Sequence, residues 1–243
     1  MKASEIIAQL QSLGNQANRE GMAHFGIKTE RALGISMDTL RGIARQIGKK
    51  DHALAQELWN TSWHEARILA TLIDDPRAVS REQMEQWVAE FDSWDLCDQC
   101  CGNLFDKTPY AWDKAVEWSA REQEYEKRAG FVLIAYLAVH DKQAPDEKYL
   151  SYLAIIKREA GDSRNFVRKA VNWALRQIGK RNASLNRAAI ATAHEILAQG
   201  GKSKWVASDA LRELTSEKVQ TKLSREEHCH SASIRGKRAN ERR

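Results

Sequence analysis

The sequence predicts an all-α protein built as a stack of helix pairs. Three observations carry this. No stretch of useful length alternates apolar and polar residues with period two, whereas apolar residues recur three and four apart along most of the chain. Only three prolines occur in 243 residues, and residues that cap helices precede most of the periodic runs. Similar short segments, EARILA (65–70), LCDQCC (96–101), EKRAGF (126–131), FVRKAV (166–171) and WVASDA (205–210), return along the chain. Their spacing of roughly 30–40 residues is that of a helical solenoid whose unit is a helix pair.

Taken in order, Ser4 precedes an apolar stripe of Ile6, Ile7, Leu10 and Leu13. Glycines at 21, 26 and 34 break the next section into a short helix and a loop. Ser36 caps a helix carrying Leu40, Ile43 and Ile47 and stopped at Gly48, and Asp51 caps one carrying Leu54, Leu58 and Trp59. Ser62 with Glu65 has the capping-box spacing ahead of Ile68, Leu69 and Leu72. Ser80 with Gln83 repeats that signal before Met84 and Trp87. A helix opens at Trp94 after Ser93, and Thr108-Pro109 opens another carrying Ala115 and Trp118. Residues 123–139 become apolar on nearly every side and so belong in the core. Pro145-Asp146 starts the next helix, Ser163 caps 164–179, Gly200-Gly201 closes 185–198, and a last helix spans 204–222. We expect one folded domain over 1–223 and a basic, disordered tail over 224–243, which has almost no large apolar residues.

Composition narrows the function classes. At 42% hydrophobic residues the chain can bury a sizeable core. It has no apolar run of eighteen residues and no secretory signal pattern at its start, so a cytoplasmic protein without a membrane span is expected. Four cysteines suit a reducing compartment better than a disulfide framework. Cys97, Cys100 and Cys101, with His228-Cys229-His230 far downstream, could suggest zinc, but the spacing within one helix is wrong for a knuckle, and no metal is expected.

The net charge of +5 is unevenly spread. Residues 151–190 hold nine Lys/Arg against two acids, whereas 1–150 hold 18 against 24. The tail from Arg225 holds six basic residues against three acidic. A polyanion-facing surface and an ordinary solvated helix face both account for such a basic segment.

The stretch richest in chemistry is FDSWDLCDQCCGNLF (91–105). A helix from Trp94 puts Trp94 and Asp98 four residues apart on one face. An indole beside a carboxylate makes an apolar-walled site with one charged centre, or is simply helix packing. Arg128 recurs one unit later and could pair with Glu124 of its own helix; Trp173 recurs one unit after that and could be core.

With these residues in hand the sequence resembles the AlkD-like DNA glycosylases, HEAT-like repeat proteins of DNA alkylation repair. The resemblance covers about residues 1–222 and is carried by SWDLCD (93–98), KRAGFVLIAYLA (127–138) and RKAVNWALRQIGKRN (168–182). It implies a right-handed HEAT-like solenoid with a concave basic groove into which Trp94, Asp98, Arg128 and Trp173 converge. It also implies removal of N3- or N7-alkylated, cationic purines from duplex DNA without extruding the base. Under it Asp98, Trp94 and Trp173 are catalytic. Arg128 grips a phosphate near the lesion, and Arg164, Arg168, Lys169, Arg176, Lys180 and Arg181 neutralise flanking phosphates. No cofactor is implied, the partner is alkylated double-stranded DNA, and the protein is expected to be a monomer associated with the nucleoid. The three cysteines around Asp98 depart from the family pattern. Two other functions stay open: a non-catalytic HEAT-like module that binds DNA structures, and a protein–protein scaffold.

Overall fold

A computed structural model describes residues 1–48 and 50–225. Among them thirteen α-helices follow one another, with no strand: α1 (Ala3–Ser12), α2 (Gln16–His24), α3 (Met37–Ile47), α4 (His52–Asn60), α5 (His64–Ile73), α6 (Arg81–Ala89), α7 (Trp94–Asn103), α8 (Ala111–Ser119), α9 (Glu124–His140), α10 (Asp146–Glu159), α11 (Asn165–Gly179), α12 (Ala183–Gln199) and α13 (Lys204–Leu214). One more helical stretch, 217–225, follows a break at 215–216, so the single helix expected over 204–222 is two. No described helix is long and apolar enough to cross a membrane. From residue 226 the expected tail lies outside the described residues, as does the His228-Cys229-His230 triplet.

The segments recognised as recurring in the sequence, EARILA, LCDQCC, EKRAGF, FVRKAV and WVASDA, lie in α5, α7, α9, α11 and α13, the second members of successive pairs. Within the stretch expected to be one domain, the chain forms two compact units, Met1–Leu133 and from Ile134 onward.

In the first unit α4 packs on α5, α5 on α3 and α7, and α1 on α4. The first helices of the pairs each bury a tryptophan, Trp59, Trp87 and Trp118. Trp59 and Trp87 stack with centroids 3.8 Å apart and planes 3° off parallel, and Phe105 links Trp87 to Trp118. Buried rings of this size dominate the energetics of such a core. Two of the three polar edges are satisfied: Trp59 Nε1 donates to Glu90 Oε2 at 3.0 Å and Trp118 Nε1 to Glu85 Oε1 at 2.9 Å, whereas the buried Trp87 Nε1 has no hydrogen-bond partner among the described residues. The close approach of α9 to the end of α8 depends on Gly130, where an added Cβ would lie 2.4 Å from the Ser119 nitrogen.

In the second unit α12 packs on α10, α11 and α13, and α11 lies along α13. Cross-links between neighbouring second helices join residues some thirty positions apart, as in Asn172 Nδ2 to the Val206 carbonyl at 3.0 Å. The sequence period is that separation.

Several ends differ from expectation. Ser62 does not cap α5; it sits at φ 60°, and Trp63 is the N-cap with no side-chain bond. Thr108-Pro109 is followed by one further residue, Tyr110, which is the N-cap of α8, because a short 3-10 turn at Phe105–Lys107 takes up the preceding chain. Asn182 rather than residue 185 starts α12, its side chain accepting from the Leu185 amide at 2.8 Å. The caps at Ser36, Asp51 and Ser80 are formed, each accepting from the amide three residues on.

Candidate functional site

The site of the first unit begins at the N-terminus of α7. Ser93 is the N-cap in extended conformation, so Trp94 is the first helical residue and Asp98 lies one turn along on the same face. The helix is held from both sides. His64 at the start of α5 contacts Asp95 at 2.9 Å between Nε2 and Oδ2. Burial alone would lower the His64 pKa, but Asp95 outweighs it and the net shift is upward. Burial likewise works to raise Asp95, yet its bond to His64 brings it down. Each thus favours the charged form of the other, and the pair pins the first turn of α7 to α5.

On the other side α9 meets α7 through Arg128, which donates from Nε to Asp98 Oδ1 at 2.9 Å and from Nη2 to Oδ2 at 2.8 Å. Both side chains are largely withdrawn from solvent, at 7% exposure for Arg128 and 15% for Asp98. Burial pushes the Asp98 carboxyl above its ordinary range, and Arg128 opposes that shift. Two parallel bonds from a guanidinium need an acceptor on each oxygen, which the ionised carboxylate supplies; the pair is therefore charged at neutral pH. The guanidinium carbon also lies 6.0 Å from the Trp94 ring centroid. Trp94, Asp98 and Arg128 are thus one cluster. Arg128 pairs with Asp98 and not with Glu124, its Nε and Nη2 both turned to the carboxylate.

The cysteines beside Asp98 close the seam between the same two helices. Cys97 Sγ lies 3.7 Å from the Tyr125 carbonyl and Cys101 Sγ 3.8 Å from that of Ala129, each a weak S–H donor. All three thiols are buried, and burial pushes Cys100 and Cys101 well up. Among the described residues no three His, Cys, Asp or Glu side chains are grouped to hold a metal ion.

Trp94 is fixed by a backbone partner from a distant part of the chain. Its Nε1 donates to the Phe25 carbonyl at 2.9 Å. Phe25 ends α2, and the loop that follows is anchored by Glu65, which is 1% exposed. The Glu65 carboxylate accepts from the amides of Leu33 (2.8 Å), Gly34 (2.7 Å) and Ile35 (3.3 Å). Gly34 makes this nest possible with φ +77°; a Cβ there would lie 2.2 Å from the Asn15 carbonyl. Glu65, expected to close a capping box, has this longer-range task instead. Between α2, the 25–36 loop, α5 and α7 opens a cleft of about 620 Å³, with Met22, Phe25, Ile27, Ile35, Ile68 and Trp94 among its walls and Asp95 and Gln99 at its edge.

The remaining candidates lie in the second unit. Trp173 on α11 is partly exposed and meets Tyr136 edge-on at 5.2 Å. Four of the six basic candidates have internal partners. Arg164 pairs with Asp162 at 2.5 Å. Arg176 engages Glu213, and Lys180 Nζ reaches Glu213 Oε1 at 2.8 Å. Arg181 donates to the Ala138 and Ala144 carbonyls at 3.1 and 3.0 Å and lies over the Tyr149 ring. The charge surplus of 151–190 is therefore partly offset by acids from α13, outside the window in which it was counted. Arg168 lies against Trp205 and Lys169 is exposed.

Curated proteins give no significant match. A solved structure described as a new family of proteins related to the HEAT-like repeat DNA glycosylases, with affinity for branched DNA structures, matches with a TM-score of 0.73 at 24% identity, over 80% of this chain and 83% of that one. The helix pairs described above are thus a HEAT-like repeat fold. A model of the DNA alkylation repair enzyme family matches residues 6–214, which include every helix that forms the Trp94–Asp98–Arg128 cluster. The chain belongs to the DNA alkylation repair enzyme family.

Proposed function

We propose that the chain is a DNA glycosylase that hydrolyses the N-glycosidic bond of cationic N3- or N7-alkylated purines in duplex DNA, without base extrusion. The observation supporting this most is the Asp98 carboxylate, held by both oxygens on Arg128 beside the Trp94 indole. Alkylation at N3 or N7 puts positive charge on the purine. When the bond from C1′ breaks, its electron pair enters the ring and the base leaves neutral, so no general acid is required. Positive charge instead develops on the deoxyribose, where a fixed carboxylate stabilises it. Water then adds at C1′, its proton passing to the carboxylate and on to solvent, leaving an abasic sugar. The Trp94 ring shields the sugar from bulk water and, when desolvated, offers a cation–π contact of about 2 kcal/mol. Arg128 orients the carboxylate and offsets its repulsion from the DNA phosphates. In the second unit Trp173 is assigned to contact with the DNA sugar, and Arg168 and Lys169 to phosphates, giving affinity that falls with salt.

The test is release of free 7-methylguanine from methylated duplex DNA, followed by chromatography. Steady release by the wild-type protein is expected, and none at all would contradict the proposal. A second reading, non-catalytic binding of DNA structures, is favoured by the near burial of Asp98 and by the branched-DNA affinity described for the related family. Tight binding of a four-way junction without base release would favour it.

A further inference from the structure

We propose that Trp205 and Arg168 form a stacking site for an unpaired DNA nucleotide, the indole taking the base and the guanidinium its phosphate. This deepens the preceding reading; it rests on DNA binding and not on base excision.

Helices α11 and α13 lie side by side and are joined by a ladder of polar contacts. Arg176 engages Glu213 and lies 3.6 Å from Asp209 Oδ2, and Lys180 reaches Glu213. At those rungs a cation of α11 meets a carboxylate of α13. The first rung differs. The Arg168 guanidinium carbon lies 5.1 Å from the Trp205 ring centroid, where the ladder would otherwise place an acid. Its one recorded hydrogen bond is to Asn165 Oδ1 of its own helix, at a long 3.5 Å. Its Nε is buried and has no hydrogen-bond partner. No carboxylate is paired with Arg168 among the described residues, and Asp209, one turn beyond Trp205, is held by Arg212 and Arg176.

Trp205 itself is 40% exposed, whereas Trp59, Trp87 and Trp118 are fully buried. Lys169, beside Arg168, and Lys204, beside Trp205, are both exposed. A guanidinium stacked on an indole keeps its N–H donors in its own plane, directed away from the ring and available to an anion. An exposed aromatic ring with unneutralised cations around it is the combination that binds single-stranded nucleic acid: the ring stacks a base of any identity and the cations follow the backbone. An apolar peptide would gain nothing from the lysines, and a paired base in a duplex keeps both faces covered by its neighbours. The occupant that fits is an unpaired nucleotide, as found at an overhang, a fork or a junction.

The experiment is a fluorescence anisotropy titration with unmethylated, labelled duplex DNA, either blunt or carrying a short single-stranded overhang. The wild-type protein is expected to bind the overhang probe about tenfold more tightly than the blunt one. Trp205→Ala removes that advantage, and Trp205→Phe retains most of it. Arg168→Gln weakens binding to the overhang and lowers its salt dependence by about one phosphate contact. Equal wild-type affinity for the two probes, or an undiminished preference in a Trp205→Ala variant that melts like the wild type, overturns the proposal. The DNA carries no lesion, so failure of base release in the separate excision assay leaves this result unaffected.

Discussion

Replacing Arg128 by alanine removes the partner of a carboxylate that is only 15% exposed. Both oxygens of Asp98 lose a charge-assisted hydrogen bond, and the acid stays where α7 puts it, walled by Trp94 and the Cys97–Cys101 turn. Breaking a buried ion pair by removing one member costs about 3–5 kcal/mol. The lower end applies here, since Asp98 keeps some contact with water. For a protein of this size about 3 kcal/mol corresponds to a fall in melting temperature of roughly 6–12 °C. The pH dependence follows from the sign of the Asp98 shift. Its pKa in the folded protein is raised, so between its ordinary value and the folded value the native state binds more protons, and stability falls as pH rises. Without Arg128 that rise is larger. The deficit of the variant should therefore be greatest at neutral pH and shrink at acid pH, where Asp98 is protonated in both proteins. Differential scanning calorimetry at pH 7 and at successively lower pH reads both quantities. Arg128→Lys, which keeps the charge but loses the fork, should fall between. A variant that melts within about 1 °C of the wild type at neutral pH, or whose deficit grows on acidification, would refute the account of the pair.

Three further outcomes are expected. Glu65→Ala should lower the unfolding free energy by at least about 3 kcal/mol, because three backbone amides lose a charged acceptor; hydrogen exchange at Leu33, Gly34 and Ile35 should speed up, and unchanged protection there would show that the loop holds itself. Gly34→Ala and Gly130→Ala should each destabilise by more than about 2 kcal/mol, since the added methyl meets backbone atoms at 2.2 and 2.4 Å that no side-chain rotation can move; a melting curve like the wild type's for either contradicts the packing described. Burial works to raise the Glu85 carboxyl, but hydrogen bonds from Lys114, Trp118 and Arg121 bring it down to about 2. Its contribution is therefore complete above pH 4.5 and is lost as pH falls toward 2, so Glu85→Gln should flatten the acid limb of the stability curve.

The sequence made legible what depends on local pattern and on regular recurrence. The 3.6 periodicity, the caps at Ser36, Asp51 and Ser80, and the return of similar segments identified the helix pairs, because in a solenoid each unit repeats its neighbour's packing. Trp94 and Asp98 could be placed on one face from spacing alone. Partners that come from distant positions were not legible. Glu65 sits where a capping box would put it, yet binds a loop thirty residues upstream, and only Gly34 at positive φ lets that loop form the nest. The Phe25 carbonyl that fixes Trp94 is a backbone atom, and no residue type marks it. The charge count over 151–190 overstated the free cations because Glu213 and Asp209 lie beyond the window and lean back onto α11. A further repeat signal lies in the sequence: Trp59, Trp87 and Trp118 recur on the first helices of three successive pairs.

The central claim is that the Asp98 carboxylate stabilises the sugar as the damaged base leaves. Single-turnover release of 7-methylguanine by Asp98→Asn, alongside its affinity for the same methylated duplex, tests it most directly. Asparagine keeps the shape and removes the negative charge; the account expects DNA binding within a few-fold of wild type and excision slowed by about a hundredfold or more. Excision by this variant at the wild-type rate would contradict the account.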